Sequence, residues 1–376
     1  MKTTIEHELR RLDQEGNLRR IPAQDMPCGM VDMSSNDYLG LASRQDLRDE
    51  FMASSGGKLP LSSSASRLLA GIQAPFTSLE KTIAEAYGGD REALVFNSGY
   101  HANTGMIPAL CGNNTVVVAD KLVHASIIDG MKLSGCRFVR FRHNDTSHLR
   151  GILESCRKEG KRVLIIVESV YSMDGDYAPL EEIAMLKNAL APEGLLYVDE
   201  AHAVGVEGPS GLGLANGIKG VDVIAGTFGK ALASAGAYAV LSAELRDWMV
   251  NRSRSLIFST ALPPLQIAWT EWIFRKSLSM DSERRRLSEL SARLAEILYR
   301  HEAGDCNPGH IRPLITGSPH SAVELSGRLR EKGFNVLPIR TPTVPPGTDR
   351  LRFSLSANIT FDNLAALDAA LDNIRE

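Results

Sequence analysis

The sequence predicts an α/β fold, a mostly parallel sheet flanked by helices and followed by a smaller α+β domain, on three observations. Short apolar runs at residues 93–96, 115–119, 138–141, 162–167, 195–198 and 221–225 alternate with helical patterns. That order is the signature of βαβ units, whose parallel sheet is buried on both faces. Beyond Ser242 the texture changes to long charged helical stretches at 263–277 and 282–301, then separated strands at 311–315, 335–339 and 351–355, and a last helix from Phe361, which reads as the second domain. Finally, 376 residues with 43% hydrophobic and 23% charged residues suit two or three domains with real cores.

Taken in order, residues 3–20 have helical composition with many charges and end in Arg19 and Arg20, and a short strand-like piece follows at 30–34. Residues 1–50 therefore read as an N-terminal arm. The stretch 60–71 is rich in Ser, Ala and Leu, with 62–66 expected as a turn or loop, and 76–87 returns to helical spacing with Leu79, Ile83 and Tyr87 at intervals of four. Pro179 opens an expected helix over 180–189, as a Pro at a first helical position does. The expected division is an arm at 1–50, a large domain at 51–245 and a small domain at 246–376.

Lys+Arg 42 against Asp+Glu 45 gives a formal net charge of −3, which removes the electrostatic footprint of non-specific nucleic-acid binding. No dense basic block marks a membrane surface. Small molecules are the expected partners. The five cysteines, Cys28, Cys111, Cys136, Cys156 and Cys306, are odd in number with no C-x-x-C pair, against a disulfide framework and a thiolate metal site. The charged N-terminus lacks the apolar core of a signal peptide, and no segment reaches roughly 18 uninterrupted apolar residues. A cytoplasmic protein is the expectation.

The stretch Leu195-Leu196-Tyr197-Val198-Asp199-Glu200-Ala201-His202 is a buried strand ending in an Asp and, soon after, a His. Polar groups at the carboxyl end of a parallel strand sit where open α/β sheets bind ligands. Asp199 to His202 also spells the Asp-Glu-Ala-His of nucleic-acid helicases, which requires a G-x-x-x-x-G-K-[ST] phosphate cradle. Each Gly-Lys here fails that pattern, since Gly57-Lys58 precedes Leu59, Gly160-Lys161 precedes Arg162 and Gly229-Lys230 precedes Ala231.

Downstream, Gly226-Thr227-Phe228-Gly229-Lys230-Ala231 is a strand end followed by a Gly-flanked Lys, and residues 231–240 carry no charge. A lysine in such an apolar context has a lowered pKa and an amine free to form a Schiff base. Asp199 could then pair with the pyridinium nitrogen of pyridoxal phosphate (PLP), making that cofactor an electron sink. Taken singly, Lys230 reads as a turn residue and Asp199 as a helix cap; the pair is harder to dismiss. Asn97-Ser98-Gly99-Tyr100-His101 follows an apolar run and precedes a helix, so its N–H groups suit a phosphate, although an ordinary βα turn reads the same. His124, in Val123-His124-Ala125-Ser126, could lie flat on the cofactor ring, a reading that needs a family to support it.

With these residues the chain resembles the α-oxoamine synthases among the fold-type-I PLP enzymes, from Asn36-Asp37-Tyr38-Leu39-Gly40-Leu41 to Arg350-Leu351-Arg352-Phe353. The resemblance implies Lys230 as the Schiff-base lysine, Asp199 as the pyridinium partner and His202 at the cofactor's phenolic oxygen. Gly99, Tyr100, Ser172 and Thr227 are then further cofactor contacts, and His124 a ring-stacking residue that also meets substrate. Phe-Ser-Thr-Ala-Leu-Pro-Pro, with Ser259 and Thr260, resembles the segment that reaches the phosphate from the other subunit, which implies a homodimer with shared sites. Arg352 matches the position that binds the substrate carboxylate, with the fork that guanidinium offers. Arg19 and Thr343 match positions near the acyl substrate; no metal is implied.

Within the family, residues 339–348 and the absence of an N-terminal extension resemble the branch of biotin synthesis, which condenses L-alanine with a pimeloyl thioester, carried by CoA or acyl carrier protein. Residues 124–130 and 229–232 also resemble the ligase that joins glycine to an acetyl group, so a glycine C-acetyltransferase or another α-oxoamine synthase is the alternative, and a fold-type-I aminotransferase a more distant one. In the expected mechanism Lys230 removes the α-proton, His124 polarises the thioester carbonyl, and CO₂ leaves. Two departures bear on acyl preference: residues 61–67 replace a Gly-rich version, and Phe76 stands where relatives commonly have His.

Overall fold

A computed structural model describes residues 1–21, 25–54, 59–301 and 309–375; Gly57, Lys58 and Cys306 lie outside the described residues. The strands are β1 (Val31–Asp32), β2 (Glu92–Phe96), β3 (Thr115–Asp120), β4 (Arg137–Phe141), β5 (Arg162–Glu168), β6 (Leu195–Asp199), β7 (Val223–Thr227), β8 (Ala237–Leu241), β9 (Ile311–Ile315), β10 (Phe334–Asn335), β11 (Pro338–Ile339) and β12 (Arg350–Ser354). The chain forms two compact units. One comprises residues 39–171 and 177–284, the other residues 1–38, 172–176 and 285–376.

The larger unit holds a seven-stranded sheet in the order β2-β8-β7-β6-β5-β3-β4. Its core lies on both faces. In β5, Val163, Ile165 and Val167 pack on one side and Leu164 and Ile166 on the other, the period-2 alternation of a strand with no solvent face. The unbroken apolar runs in the sequence have this cause. Strands β3 to β7 pair in parallel, whereas β8 runs antiparallel to both β7 and β2. The segment 228–236 is too short for the helical crossover a parallel return needs, so the chain turns back, and Lys230 sits in that turn. Gly226 is required by close approach, because a Cβ there would lie 2.4 Å from the Tyr238 ring opposite it on β8.

In the smaller unit β11, β12 and β9 form an antiparallel sheet, and β1 pairs in parallel with β10. The N-terminal arm belongs to this unit through β1. Its first helix, Lys2–Gln14, is shorter than the 3–20 expected, because Gly16 adopts a left-handed φ of 68° and the N–H groups of Asn17 and Leu18 both fold back onto the Leu12 carbonyl. That is a helix-ending arrangement with Gly in the conformation it alone adopts freely. Arg19 therefore lies beyond the helix.

The unit boundaries differ from the expected 50/51 and 245/246. The texture change at Ser242 marks the end of β8, but the helix Pro264–Ser277 packs against Ala74–Ala86 and stays in the larger unit. The expected strand at 335–339 is two short strands, since Leu337 precedes Pro338 and the ladder changes partner there. The helix Gln45–Ser54, with Leu47 and Phe51 buried one turn apart, had no counterpart in the sequence reading. Cys28, Cys111, Cys136 and Cys156 are free thiols. Among the described residues no helix is long and apolar enough to cross a membrane.

Candidate active site

Parallel strands end together, so their carboxyl ends gather residues that are far apart in sequence. Glu168 closes β5, Asp199 closes β6 directly beside it in the ladder, and Thr227 closes β7. One cavity in the larger unit is lined by Gly99, Tyr100, Asn103, His124, Ser126, Glu168, Asp199, Ala201, His202, Thr227 and Lys230. Seven of the residues expected from sequence, Lys230, Asp199, His202, His124, Gly99, Tyr100 and Thr227, thus meet in one place. Lys230 Nζ lies 2.7 Å from His202 Nε2. The turn that carries it is packed by buried Phe228, Ala231 and Leu232, which holds the half-buried amine in an apolar frame.

Asp199 is 7% exposed. Its Oδ1 accepts the Ala201 N–H at 2.9 Å and its Oδ2 accepts the Asn103 amide at 2.8 Å. The same Asn103 amide reaches Ser126 Oγ at 2.9 Å, and Ser126 Oγ lies 2.8 Å from His124 Nδ1. Tyr197, one turn of the pleat before Asp199, donates its hydroxyl to Asn103 Oδ1. The His124 N–H is held by Glu168 Oε1. His124 has an accessible face in the open cavity, yet the protein packed around the ring desolvates it and lowers its pKa from the usual value; Asp199 opposes that effect and Lys230 adds to it.

At the other end of the cavity the helix Gly99–Leu110 presents its N-terminus, capped by Ser98 Oγ accepting the His101 N–H at 3.2 Å. The first N–H groups of a helix have no intrahelical acceptor and favour an anion. Thr227 packs against Gly99 and is itself fixed, donating to the Gly236 carbonyl at 3.1 Å and accepting the Gly229 N–H at 3.2 Å. The Tyr100 hydroxyl donates to Asp129, which raises its pKa. Chemically, the cavity offers an amine, a carboxylate fixed at a strand end, imidazoles and a helix N-terminus. That set suits a ligand bearing a carbonyl, a basic ring nitrogen and a phosphate.

Behind Asp199, Glu200 is fully buried. Burial pushes its carboxyl up to about 7, against the lowering effect of the Ser169 hydroxyl and the Ala215 and Leu214 N–H groups. Glu200 ties the end of β5 and the loop through Gly213 to the end of β6; a Cβ at Gly213 would lie 2.6 Å from its carboxylate.

The remaining expected residues lie elsewhere. In the smaller unit Arg352, on β12 and 7% exposed, donates from Nε to the Ser172 carbonyl at 2.6 Å and from Nη2 to Asn36 Oδ1 at 3.1 Å. Arg19 Nη2 donates to Thr343 Oγ1 at 2.6 Å, joining two exposed residues from opposite ends of that unit's sequence. Thr260, in the larger unit, forms a bridge with Ser66 and accepts the Asn97 amide on its carbonyl, and it does not line the cavity of its own chain. Phe76, one of the departures, is a core residue whose ring carries the Arg67 guanidinium at 4.5 Å, and it does not line the cavity either.

Asn103, Glu168 and the side-chain role of Ser126 escaped the sequence reading. Asn103 follows Gly99 by one helical turn and so shares its face. Glu168 ends the strand adjacent to that of Asp199, the position where ligand-binding groups collect. Both signals were present in the spacing.

Residues 29–371 match the model of the aminotransferase class I and II family. A protein of Pasteurella multocida named provisionally as an 8-amino-7-oxononanoate synthase is 47% identical over 92% of this chain and 90% of its own length. Among solved structures, a serine palmitoyltransferase from S. paucimobilis with bound PLP–myriocin aldimine has a TM-score of 0.88 and 26% identity, covering 98% of this chain and 96% of that one. An 8-amino-7-oxononanoate synthase from Francisella tularensis has a TM-score of 0.76 and 27% identity, covering 92% and 98%. With a strand-end carboxylate, a turn lysine and a helix N-terminus meeting in one cavity, and with a relative this close along nearly its whole length, the chain belongs to the 8-amino-7-oxononanoate synthase family within the class I and II aminotransferases.

Proposed function

We propose that this chain is a PLP-dependent acyltransferase that condenses L-alanine with a pimeloyl thioester, giving 8-amino-7-oxononanoate, CO₂ and the free carrier thiol. The observation that carries the reading is the convergence of Lys230 Nζ, the Asp199 carboxylate and the N-terminus of Gly99–Leu110 on one cavity. These residues fit PLP by their chemistry. Lys230 would hold its carbonyl carbon, Asp199 its ring nitrogen, His202 its phenolic oxygen, and Gly99, Tyr100 and Thr227 its phosphate, with His124 against the ring.

Bound there, PLP supplies an electron sink for charge developing on the amino acid's α-carbon. The rest falls to the chain's own side chains. Arg352 holds the amino-acid carboxylate through its guanidinium, whose Nε and Nη2 are already aligned by Ser172 and Asn36. Lys230 Nζ, once free, takes the α-proton from its place in the turn beside His202. The α-carbon forms its bond to the thioester carbonyl carbon, the carbon–sulfur bond breaks and the thiol leaves. His124, neutral at pH 7, donates a hydrogen bond to the oxygen on which charge develops. Loss of CO₂ breaks the bond to the original carboxylate, and a proton returned to the same carbon completes the product.

Support for a homodimer with shared sites is Thr260, which is exposed and does not line the cavity of its own chain. Support for a neighbouring activity, with another amino acid or acyl donor, is the likeness to serine palmitoyltransferase. The cofactor assignment is tested by loading the protein with PLP, reducing it with borohydride and mapping the labelled peptide: the label is expected on Lys230, and a label on any other lysine would overturn the assignment.

A further inference from the structure

The buried amide of Asn103 stands between the two groups that flank the cavity. Asn103 is 2% exposed, Ser126 1% and Tyr197 0%, so hydrogen-bond directions here are constrained. The Tyr197 hydroxyl can only donate to Asn103 Oδ1, which turns Nδ2 toward Asp199 Oδ2 at 2.8 Å and Ser126 Oγ at 2.9 Å. Ser126 Oγ therefore accepts from Asn103, and its own proton points to His124 Nδ1 at 2.8 Å. The Ser126 N–H also donates to Nδ1, at 3.2 Å. With two donors aimed at it, Nδ1 carries no proton, and the neutral ring carries its proton on Nε2.

We propose that Asn103 is a positioning residue that, with Ser126, fixes His124 as the neutral Nε2–H donor while holding Asp199 as a carboxylate. One amide thus sets the proton states of both groups. The charged groups facing His124 are Asp199, Lys230 and Asp129, and Glu168 holds its backbone N–H. None of them donates to Nδ1, so the tautomer rests on Ser126 and, behind it, Asn103. This deepens the reading of the proposed active site and rests on it for its catalytic meaning. The hydrogen bonds themselves need no cofactor.

The test is NMR on the full chain, labelled with ¹⁵N-histidine and ¹³C-aspartate, before and after addition of PLP. In the parent protein His124 is expected as the Nε2–H tautomer with an unprotonated Nδ1. Asn103→Leu keeps the volume and removes the amide; the Asp199 midpoint is expected to rise by about half a unit to one unit, since its carboxylate loses a donor, and that of His124 to rise by less, because the Ser126 hydroxyl still donates to Nδ1 and loses only the amide's polarisation. Ser126→Ala, a gentler change, is expected to raise the His124 midpoint and leave that of Asp199 in place. An Nδ1–H signal in the parent would overturn the proposal, as would unmoved midpoints in either folded variant, the result expected of a side chain that only fills space. Borohydride labelling of Lys230 scores the cofactor reading separately, so either reading can fail alone.

Discussion

Replacing Glu200 by Gln tests the scaffold directly behind Asp199. Glu200 is fully buried, and its carboxyl is raised from an ordinary value of 4.5 to about 7, with desolvation the largest cause. The folded state therefore binds this proton more tightly than the unfolded chain does. The stabilisation is present in full below about pH 4.5 and is lost as pH rises through about 7. The shift spans about two and a half pH units at about 1.4 kcal/mol each, so the parent should lose about 3 kcal/mol relative to Glu200→Gln across that window. Groups that titrate alike in both proteins cancel in the difference. All three tryptophans, Trp248, Trp269 and Trp272, lie in the larger unit, so urea unfolding followed by tryptophan fluorescence reports the unit that contains Glu200. A parent-minus-variant difference that stays flat with pH, or grows in the parent's favour as pH rises, would refute the reasoning, because Glu200 would then sit comfortably as a carboxylate.

Lys230→Ala should fold, as judged by unchanged circular dichroism, and lack the absorbance of lysine-bound PLP; persistence of that band would remove Lys230 from its assigned role. Arg352→Lys loses the bidentate fork and a charged hydrogen bond worth about 1.5–3 kcal/mol. The expected loss in kcat/KM for the amino acid is about ten- to a hundredfold, and an unaffected kcat/KM would show that the carboxylate is bound elsewhere. Gly226→Ala drives a methyl into the Tyr238 ring and should cost about 1–3 kcal/mol of larger-unit stability by tryptophan fluorescence. Parent-like stability would mean that Tyr238 yields freely.

What the sequence made legible follows from physics. Strands β2, β3, β5, β6 and β7 are buried over nearly their whole length and so write themselves as apolar runs, while the edge strand β4 is largely exposed and was found through Phe138, Val139 and Phe141. Asp199 and Lys230 were found because they follow such runs at their carboxyl ends. Strand β8 was passed over because Ala237, Tyr238 and Ala239 follow a Gly/Ala-rich turn and lack the β-branched residues that announce a strand. The helix Lys2–Gln14 was overextended because charge composition continues past Gly16, where the backbone turns. Asn103 and Ser126 were invisible as a pair, since a hydrogen bond between residues on consecutive helices depends on how those helices pack against the sheet. The boundary at Arg284 was missed for the same reason, because the helix Pro264–Ser277 reads like its charged neighbour in sequence and differs only in what it packs against.

Release of free thiol reports the proposed condensation itself. The PLP-loaded protein is incubated with pimeloyl-CoA and L-alanine, glycine or L-serine in turn, and with acetyl-CoA and glycine, with thiol appearance and product mass followed together. Thiol release with pimeloyl-CoA that requires L-alanine, accompanied by 8-amino-7-oxononanoate, is the predicted result. Release only with glycine and acetyl-CoA, or amino-group transfer with no thiol at all, would contradict it.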